Sequence, residues 1–435
     1  MALKNYCSAY DTKMIKKYFT SSNILILGFC FLAIGIPCDG FLRGFENVGL
    51  MLILTASFLN YKEFAWKKLF EPVNVMLILL FFLCVFGYFY TDNLIELNRK
   101  SALKVLLALF PFAFSFTPII TKDFKRVTII LFLVVTASIG LLSCLGYLLH
   151  FDEYNRLIQE SKPIPIVGGT MHIYFSMILA LSIFLGLHLL NQNFKIVLNS
   201  WADKIILIII ILNIMMLHVL SARTGLVSFY AVIVVLLLRY SIQSRRFKTL
   251  VGGLFAMLLF PLLMYFAVPS VKNRIKNTYE DLHRYYTGDY VGHYSISGRF
   301  ETWKVALHVF EDHKIFGAGY GDLERNMESQ YLIDDTRLMR EESLPNCHNQ
   351  YIETLAAHGI IGFVVFMALL YFMTKLVRQM PCNNYLLLAF LTLFMTAFMV
   401  ESLLEREAGL MLFLFFFYLI KNSAYDTERN TSVAP

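Results

Sequence analysis

Length and composition together define the broad class of the chain. Its 435 residues are 57% hydrophobic and only 16% charged, and they include 40 Phe and 24 Tyr. Soluble domains are usually about 45–50% apolar and about a quarter charged. The apolar excess lies in blocks of roughly 17–25 residues, long enough as helices to cross about 30 Å of hydrocarbon. A soluble enzyme, a disordered chain and a disulfide-rich secreted domain are therefore excluded, and a polytopic membrane protein is predicted.

The net charge of +7 does not indicate nucleic-acid binding. Lys and Arg of membrane proteins collect in cytoplasmic loops, so their placement reports topology. The seven cysteines show no spacing typical of a disulfide framework or a zinc site. No small-residue cleavage pattern follows the first apolar block, which is therefore interpreted as a retained span rather than a signal peptide.

Twelve apolar blocks are predicted to span the membrane as helices. In chain order they cover about residues 22–38, 42–60, 74–91, 101–119, 124–150, 168–190, 203–220, 224–242, 248–268, 359–377, 383–402 and 408–421. The predicted fold is an all-α polytopic bundle with one large helical loop. It divides into spans one to nine (residues 1–268), the loop (269–358), spans ten to twelve (359–421) and a polar tail (422–435).

The basic residues predict the orientation of this bundle. With the N-terminus in the cytoplasm, the inner segments hold twenty Lys and Arg and the short outer loops hold seven. Long loops are left out of this comparison because they translocate regardless of charge. Both termini are then cytoplasmic and the loop at 269–358 faces outward. A plain connector of about 90 residues would be unusual, so we expect the chemistry in this loop.

The loop contains a predicted amphipathic helix followed by a turn. Within residues 299–316, four apolar side chains recur on one helical face: Phe300, Trp303, Leu307 and Phe310. Such a helix can lie in the headgroup region, roof a cavity or simply pack on the bundle. The glycine-rich run at 316–321 (FGAGYG) has no strand before it, so we interpret it as a turn rather than a nucleotide site.

The end of the loop carries a candidate catalytic histidine. A helix predicted to begin near residue 345 places His348 on one face with Tyr351, and Asn349 and Glu353 on another. Glu353 would then lie about 140° around the helix from His348, which makes it a poor partner for a His–carboxylate dyad. A histidine neutral near pH 7 can take a proton from a hydroxyl, although a structural role is commoner at a membrane boundary. Its spacing from the other histidines does not favour a metal site.

Two arginines are candidate anion ligands. Arg223 (in SARTG, 221–225) lies between two strongly apolar spans, where an arginine is costly unless it faces a polar cavity or an anion. It also adjoins the free N–H groups at a predicted helix N-terminus, which favour phosphate. The alternative is an arginine that snorkels to the interface. Arg299 is the second candidate. Together with His348, these arginines suit an anionic lipid substrate and a hydroxyl acceptor.

In combination, these features resemble the O-antigen ligase family, whose bacterial members move O-polysaccharide from undecaprenyl diphosphate onto lipid A–core. The shared pattern begins with about twelve spans, a large loop between spans nine and ten, and the arginine of the SARTG motif. It continues with Arg299 and Trp303 (Arg-x-x-x-Trp) before the glycine-rich turn. It ends with His348 and Asn349 followed by Gly-x-x-Gly. The specific stretches are 221–225 and about 270–363.

The resemblance implies a GT-C-like glycosyltransferase of the bacterial inner membrane, with its active site facing the periplasm and with no metal, cofactor or ATP. Arg223 and Arg299 would bind the donor diphosphate, and His348 would activate the acceptor hydroxyl. Asn349, Trp303 and Tyr351 would support them. The implied partners are an undecaprenyl diphosphate-linked glycan, a lipid A–core acceptor and membrane lipids, with no nucleic acid.

Three alternative activities stay open beside the ligase, and so does a receptor or scaffold role, although that role would explain neither Arg223 nor the loop. O-antigen polymerases and protein O-oligosaccharyltransferases belong to the same superfamily, and the ligase is preferred because the His-Asn element and the loop pattern resemble it most. The third alternative, from another class, is a transporter of lipid-linked glycans. It is disfavoured because neither repeat symmetry nor paired half-helices are visible in the sequence.

Overall fold

The computed structural model describes residues 20–116, 121–160, 162–192, 195–196, 200–289, 296–334, 336, 346–379 and 385–431. In these ranges the chain is an all-α polytopic membrane protein. Parts of several predictions lie outside the described residues: the basic N-terminal segment, the end of the fourth predicted span at 117–119, the helix start expected near residue 345, the beginning of the eleventh span at 383–384, and the last four residues of the tail.

The described residues form eighteen α-helices and one short strand pair. The strands, β1 (Asn191–Gln192) and β2 (Lys195–Ile196), are antiparallel, with Asn191 opposite Ile196 and Gln192 opposite Lys195. We number the helices in chain order: α1 (Ser21–Gly35), α2 (Arg43–Leu59), α3 (Trp66–Leu69), α4 (Pro72–Phe86), α5 (Leu94–Lys104), α6 (Leu106–Phe116), α7 (Lys122–Leu149), α8 (Phe151–Gln159), α9 (His172–Leu190), α10 (Trp201–Leu220), α11 (Arg223–Ser244), α12 (Phe247–Ala267), α13 (Pro269–Thr287), α14 (Ile296–Asp312), α15 (Leu323–Ile333), α16 (Gln350–Gln379), α17 (Tyr385–Phe398) and α18 (Glu407–Thr431).

Eight helical segments among the described residues are long and apolar enough to cross a membrane: Ser21–Cys38, Pro72–Phe89, Asp123–Leu149, His172–Leu190, Trp201–Leu220, Arg223–Ser244, Phe247–Ala267 and Gln350–Gln379. Each coincides with a predicted span. Two shorter apolar helices, Gly44–Leu59 and Tyr385–Phe398, coincide with the second and eleventh predicted spans. Helices suit these runs because a bilayer offers no water to the backbone N–H and C=O groups. The total of twelve spans stays a prediction.

Three predicted boundaries differ from the structure. The fourth span (101–119) is divided between the polar helix α5 and the apolar helix α6, which has only 11 residues. A helix of that length extends about 16 Å, too little to cross a bilayer alone. The helix of the eleventh predicted span, α17, ends at Phe398, before the predicted limit of 402. The last helix continues through Thr431, well into the predicted tail.

The core of the bundle lies around α9 and α18. In the apolar segment of α9, 83% of the residues are buried inside the protein, whereas only 6% are buried in that of α12. The stretch of α18 from Leu410 to Ile420 is almost completely inaccessible. The apolar side chains of α12 are mostly exposed, which suits a helix that faces lipid tails. The central position of α9 brings neighbouring helices, and the residues at their ends, close together.

The described part of the predicted large loop is helical and contributes to a small apolar core, which also includes Cys84 of α4 and Leu97 of α5. That core joins α14, α15 and the beginning of α16, and it includes Val305, Tyr320 and Met327. The predicted orientation of the amphipathic helix was wrong. The buried face of α14 carries Glu301, Thr302 and Val309 among others, whereas Leu307 of the predicted face is 39% exposed. Contacts with α16 and α15 override the apolar pattern, since Tyr331 donates a hydrogen bond to the Thr302 hydroxyl (2.8 Å).

The glycine-rich run at 316–321 forms the predicted turn and packs against a break in α16. At the break, Gly359 has φ 63° and ψ −162°, a conformation that L side chains rarely adopt. The amide of Ala318 donates to the carbonyl of Ala356 (2.9 Å), and the amide of Ile360 donates to the carbonyl of Lys314 (2.9 Å). A Cβ atom at Gly359 would lie 2.3 Å from the Ile315 carbonyl oxygen. The backbones can approach only because residue 359 is glycine.

Candidate active site

His348 lies just before α16 rather than on it. The helix begins at Gln350, and His348 has a positive φ of 45°, so the predicted helical start near residue 345 does not extend through His348. The reason is the side chain of Asn349. Its Oδ1 accepts from the amides of Tyr351 (3.0 Å) and Ile352 (3.2 Å), as an N-cap residue does. The cap starts the helix at Gln350 and leaves the His348 ring free to turn towards another element.

The His348 ring contacts the carboxylate of Glu401. Nδ1 of His348 lies 2.9 Å from Oε1 and 3.1 Å from Oε2 of Glu401. The Glu401 side chain is only 6% exposed and lies in the connection between α17 and α18. Burial by itself raises the pKa of this carboxyl, but the hydrogen bond and charge of His348, with the charge of Arg299, outweigh burial and hold the pKa below its usual value. An ionised carboxylate only accepts, so Nδ1–H donates, and a His348 ring without a second proton has a lone pair on Nε2.

Arg299 lies on the other side of the same carboxylate. Its Nη1 donates to the carbonyl of Val400 (2.6 Å), and its Nη2 lies 3.4 Å from Oε2 of Glu401. Burial lowers the pKa of the Arg299 guanidinium and the charge of Glu401 opposes that effect. Glu401, which sequence reasoning did not single out, therefore brings the predicted site residues Arg299 and His348 together.

Arg223 is the first residue of α11, as predicted, and lies close enough to Arg299 for their charges to interact. Its Nε atom is buried and has no hydrogen-bond partner among the described residues. No carboxylate of the described part of the chain lies within ion-pair distance, although the charge of Asp281 acts on it. A buried, incompletely satisfied guanidinium at a helix N-terminus is suited to an anion.

Arg274 of α13 is a third arginine at this place, and sequence reasoning did not single it out. Burial first, and then the positive charge of Arg223, lower the pKa of Arg274 to about 10. Its Nη2 donates to the carbonyl of Lys162 (3.2 Å). His172, at the beginning of α9, interacts electrostatically with Arg274, Arg299 and Glu401. We call Arg223, Arg274 and Arg299 the arginine cluster.

Asp281 connects the arginine cluster to the backbone of α14. Its Oδ2 accepts from the amides of Ile296 (2.9 Å) and Ser297 (3.2 Å), and its Oδ1 accepts from the Ser297 hydroxyl. These bonds satisfy free N–H groups in the first turn of α14, two to three residues before Arg299. Asp281 therefore helps to fix the helix that carries Arg299.

The three predicted supporting residues all hold backbone near the His348–Glu401 pair. Nε1 of Trp303 donates to the carbonyl of Cys347 (2.9 Å), immediately before His348. Nδ2 of Asn349 donates to the carbonyl of Met399 (2.9 Å). The hydroxyl of Tyr351 donates to the carbonyl of Met395 (3.2 Å). These contacts link the start of α16 to α14 and to the end of α17.

Glu353 does not pair with His348, in agreement with the sequence prediction. Its Oε2 instead accepts from the amide of Cys347 (2.7 Å) and from the hydroxyl of Ser402 (3.2 Å). Glu353 is only 3% exposed, and its side chain lies between the two segments that carry His348 and Glu401. It acts as a bridge between these segments.

The segment that carries Glu401, residues 399–405, is also held from its far side by Lys104 and Gln350. Nζ of Lys104 donates to the carbonyl of Leu404 (2.8 Å) and to Oε1 of Glu405 (2.9 Å). Gln350 accepts from the amide of Leu404 (2.8 Å) and donates to Glu405 (2.8 Å). The sequence gives no sign of the Lys104–Glu405 pair, because 301 positions separate the two residues.

The charges of this site favour an anionic ligand. Three arginines approach one another, Glu401 is neutralised by His348 and Arg299, and Asp281 is occupied by backbone amides. In the described part of the chain, no three His, Cys, Asp or Glu side chains form a group that could hold a metal ion. Guanidinium groups bind phosphate through paired, permanently charged contacts. The site thus combines an anion-binding cluster with a histidine whose Nε2 can accept a proton.

Part of the chain is similar to a known protein family. Residues 206–367 match the sequence model of the family described as O-antigen ligase. This segment includes the arginine cluster and His348, whereas Glu401 lies beyond it. No protein among curated sequences matches the chain significantly. The similarity to the O-antigen ligase family covers residues 206–367 of the 435-residue chain.

Proposed function

We propose that the protein is an O-antigen ligase, which transfers a polysaccharide from undecaprenyl diphosphate to a hydroxyl of lipid A–core. Its family supports a general role as a glycosyltransferase-like membrane enzyme. The observation that carries the proposal is the His348–Glu401 pair beside the arginine cluster, since this reaction needs both a base for a hydroxyl and a binding site for a diphosphate.

In this proposal His348 is the general base. The Nδ1–H group of His348 stays hydrogen-bonded to Glu401. Nε2 takes the proton of the acceptor hydroxyl as the hydroxyl oxygen attacks the anomeric carbon of the donor sugar. Glu401 holds the ring in this tautomer and stabilises the imidazolium that forms. General-base catalysis of this kind contributes about 10²–10⁴-fold to a rate. The proton then passes to solvent.

The arginine cluster would hold the donor and stabilise its departure. The bond between the anomeric carbon and the phosphate oxygen breaks while the bond to the acceptor oxygen forms, and undecaprenyl diphosphate leaves as an anion. No acid is required for such a leaving group, but the growing negative charge must be neutralised. Loss of one such donor group typically costs about 10²–10³-fold in rate. Attack opposite the diphosphate inverts the anomeric centre.

The proposal includes the topology predicted from the basic residues. Residues 1–268 and 359–421 would hold the membrane spans, residues 422–435 would be cytoplasmic, and residues 269–358 would face the periplasm of a bacterial inner membrane. His348, Arg274 and Arg299 belong to the last of these segments, and Arg223 begins the helix after a short outer turn. The lipid-linked donor would then lie in the bilayer with its glycan in the periplasm, where ATP is absent and the donor bond itself supplies the energy.

Two related functions would use the same chemistry. A polymerase or a protein O-oligosaccharyltransferase would retain the base and the diphosphate site and differ only in the acceptor. A transporter of lipid-linked glycans would retain the arginines, but it would have no use for a histidine held by a carboxylate. The histidine–carboxylate pair therefore favours an enzyme.

The test is the surface glycolipid profile of the native host without this protein. That host then receives the gene for wild type, for His348→Ala or for the control His308→Ala. His308 is a half-exposed histidine of α14 that pairs with Asp334. The proposal expects bare lipid A–core and accumulated polymer on undecaprenyl diphosphate, corrected by wild type and by His308→Ala but not by His348→Ala. Core carrying a single repeat would indicate a polymerase instead. An unchanged profile would reject the lipid A–core acceptor.

A further inference from the structure

An open cavity lies far from the candidate active site. It has a volume of about 340 Å³ and lies between α9, α11 and α17, with a mostly apolar lining that includes Phe184, Leu187, Leu237, Tyr240, Tyr385 and Ala389. This volume falls in the range of about 300–1,000 Å³ that is usual for small-molecule sites. The size and the lining suit a hydrocarbon chain.

The helices place this cavity at the opposite end of the bundle. Along α11, Tyr240 follows Arg223 by seventeen residues, which is about 25 Å of helix. Along α9, His188 lines the cavity whereas His172, at the other end, lies near Glu401. Tyr385 begins α17, whose far end leads to Glu401. All three helices thus run from the candidate active site to the cavity.

An arginine lies beside the cavity with few partners. The Arg239 guanidinium lies over the ring of Tyr385, 4.8 Å from its centroid. Its Nε–H group is buried and donates to no partner among the described residues. Stacking uses the face of a guanidinium and leaves its N–H groups at the edge for an anion. An arginine near hydrocarbon is costly unless it meets such an anion or water.

The same end of the bundle is basic. Arg245, Arg246 and Lys248 are exposed in and after the turn that joins α11 to α12. Clusters of basic residues next to a membrane-spanning helix attract anionic lipids. The apolar cavity suits the acyl chain of a phospholipid. The arginine beside it, at a basic end of the bundle, suits an anionic headgroup.

We propose that this cavity binds an acyl chain of an anionic phospholipid, with the lipid phosphate on Arg239. The apolar walls contributed by α9, α11 and α17 would surround the chain, and the N–H groups of Arg239 would contact the phosphate. The bound lipid would fill space between three helices that lead to the candidate active site. This inference does not depend on the proposed function.

The proposal is tested by measuring lipids retained by the full-length protein. Four proteins are compared: wild type, Arg239→Gln, Ala389→Phe and the control Arg246→Gln. Each is reconstituted in nanodiscs that contain equal amounts of phosphatidylglycerol and phosphatidylcholine, and the lipids that stay bound on release are counted by native mass spectrometry. Wild type and Arg246→Gln should retain phosphatidylglycerol preferentially. Arg239→Gln should reduce this preference about tenfold, since it removes charge-assisted hydrogen bonds, and Ala389→Phe should displace the lipid by filling the cavity.

Several outcomes would overturn the proposal. One is equal retention by wild type and Arg239→Gln; another is the same loss in Arg246→Gln, which would indicate a diffuse surface effect. A stronger retention of undecaprenyl phosphate than of phosphatidylglycerol, when both are supplied, would replace the phospholipid by an isoprenoid lipid. Arg239→Gln loses the stacking on Tyr385 but adds no bulk to the cavity, so it decides the question even where Ala389→Phe fails to fold.

Discussion

Glu401 follows His348 by 53 positions in the chain, yet its carboxylate lies 2.9 Å from Nδ1 of the His348 ring. The two residues are presented by separate connections, one before α16 and one between α17 and α18. Asn349, Glu353 and Ser402 link these connections by hydrogen bonds. The pair is therefore held in place before any substrate arrives, which lowers the cost of reaching a reactive geometry.

Replacing Glu401 by glutamine should slow glycosyl transfer about 10–100-fold. Glutamine keeps the shape of the side chain but removes the charge that selects the Nδ1–H tautomer and stabilises the imidazolium. The measurement is the rate of glycolipid formation with purified protein and a lipid-linked donor. Glu328→Gln, an exposed glutamate of α15, is the control and should keep the wild-type rate. A wild-type rate in Glu401→Gln would remove Glu401 from the mechanism.

Glu401 should also contribute pH-dependent stability. The folded protein holds the pKa of Glu401 below its ordinary value of 4.5, so the unfolded chain binds the proton more tightly. The contribution is fully present above the unfolded pKa and is lost as the pH falls through the folded pKa. Thermal unfolding should show a larger Tm difference between wild type and Glu401→Gln at pH 5.5 than at pH 3, because protonation of Glu401 at low pH removes its contribution. A Tm difference that does not shrink as the pH falls from 5.5 to 3 contradicts this assignment.

Arg223→Ala and Arg274→Gln should each weaken use of the donor, with a loss of about 10²–10³-fold in kcat/KM. Both side chains belong to the arginine cluster, and neither charge can be replaced by water without loss of a phosphate contact. Lys276→Gln serves as the control, because Lys276 is a 72%-exposed cation on the same helix as Arg274. Kinetics at varied donor concentration measure the effect. Equal losses in Lys276→Gln would mean that the general charge of α13, rather than the cluster, matters.

Lys104 is expected to be a positioning residue. Lys104→Met removes one member of a buried ion pair, whose side chains are 6% and 13% exposed, and should destabilise the fold by about 3–5 kcal/mol. It should also lower kcat more than donor KM, since the segment carrying Glu401 loses an anchor. Adding Glu405→Gln should restore stability by removing the unpaired charge. Lys100→Met, on the same helix but without a contact to Glu405, is the control; the pairing argument fails if it behaves like Lys104→Met.

Gly359→Ala should destabilise the protein by at least about 1–3 kcal/mol. The backbone at residue 359 has a positive φ, and the added Cβ would overlap the Ile315 carbonyl oxygen. The matched control is Gly252→Ala in α12, where a Cβ meets no atom within 4 Å and alanine favours the helix. Thermal unfolding in detergent should therefore show a lower Tm for Gly359→Ala only. Similar Tm values for both variants would show that the break in α16 carries little strain.

Several features of the fold could be predicted because they depend on local sequence. An apolar run of about 20 residues must form a helix in a bilayer wherever it lies in the chain, since its backbone groups have no other partners there. The eight long spans, the beginning of α11 at Arg223 and the glycine-rich turn all follow from such local patterns. His348, Arg223 and Arg299 were found as candidates from their neighbours in sequence. The structure brings His348 and Arg299 together at Glu401, and Arg223 lies close enough to Arg299 for their charges to interact.

The remaining features were decided only by the tertiary structure. Glu401 was placed inside a predicted span, and Arg274 did not differ in sequence from other basic residues of its segment. The buried face of α14 was mistaken, because contacts with α15 and α16 bury Glu301 and Thr302 in place of the apolar stripe. Partners such as Lys104 and Glu405 are separated by hundreds of residues. Composition and periodicity report what one helix does with its surroundings, whereas the choice of partner depends on which helices meet, and only packing determines that.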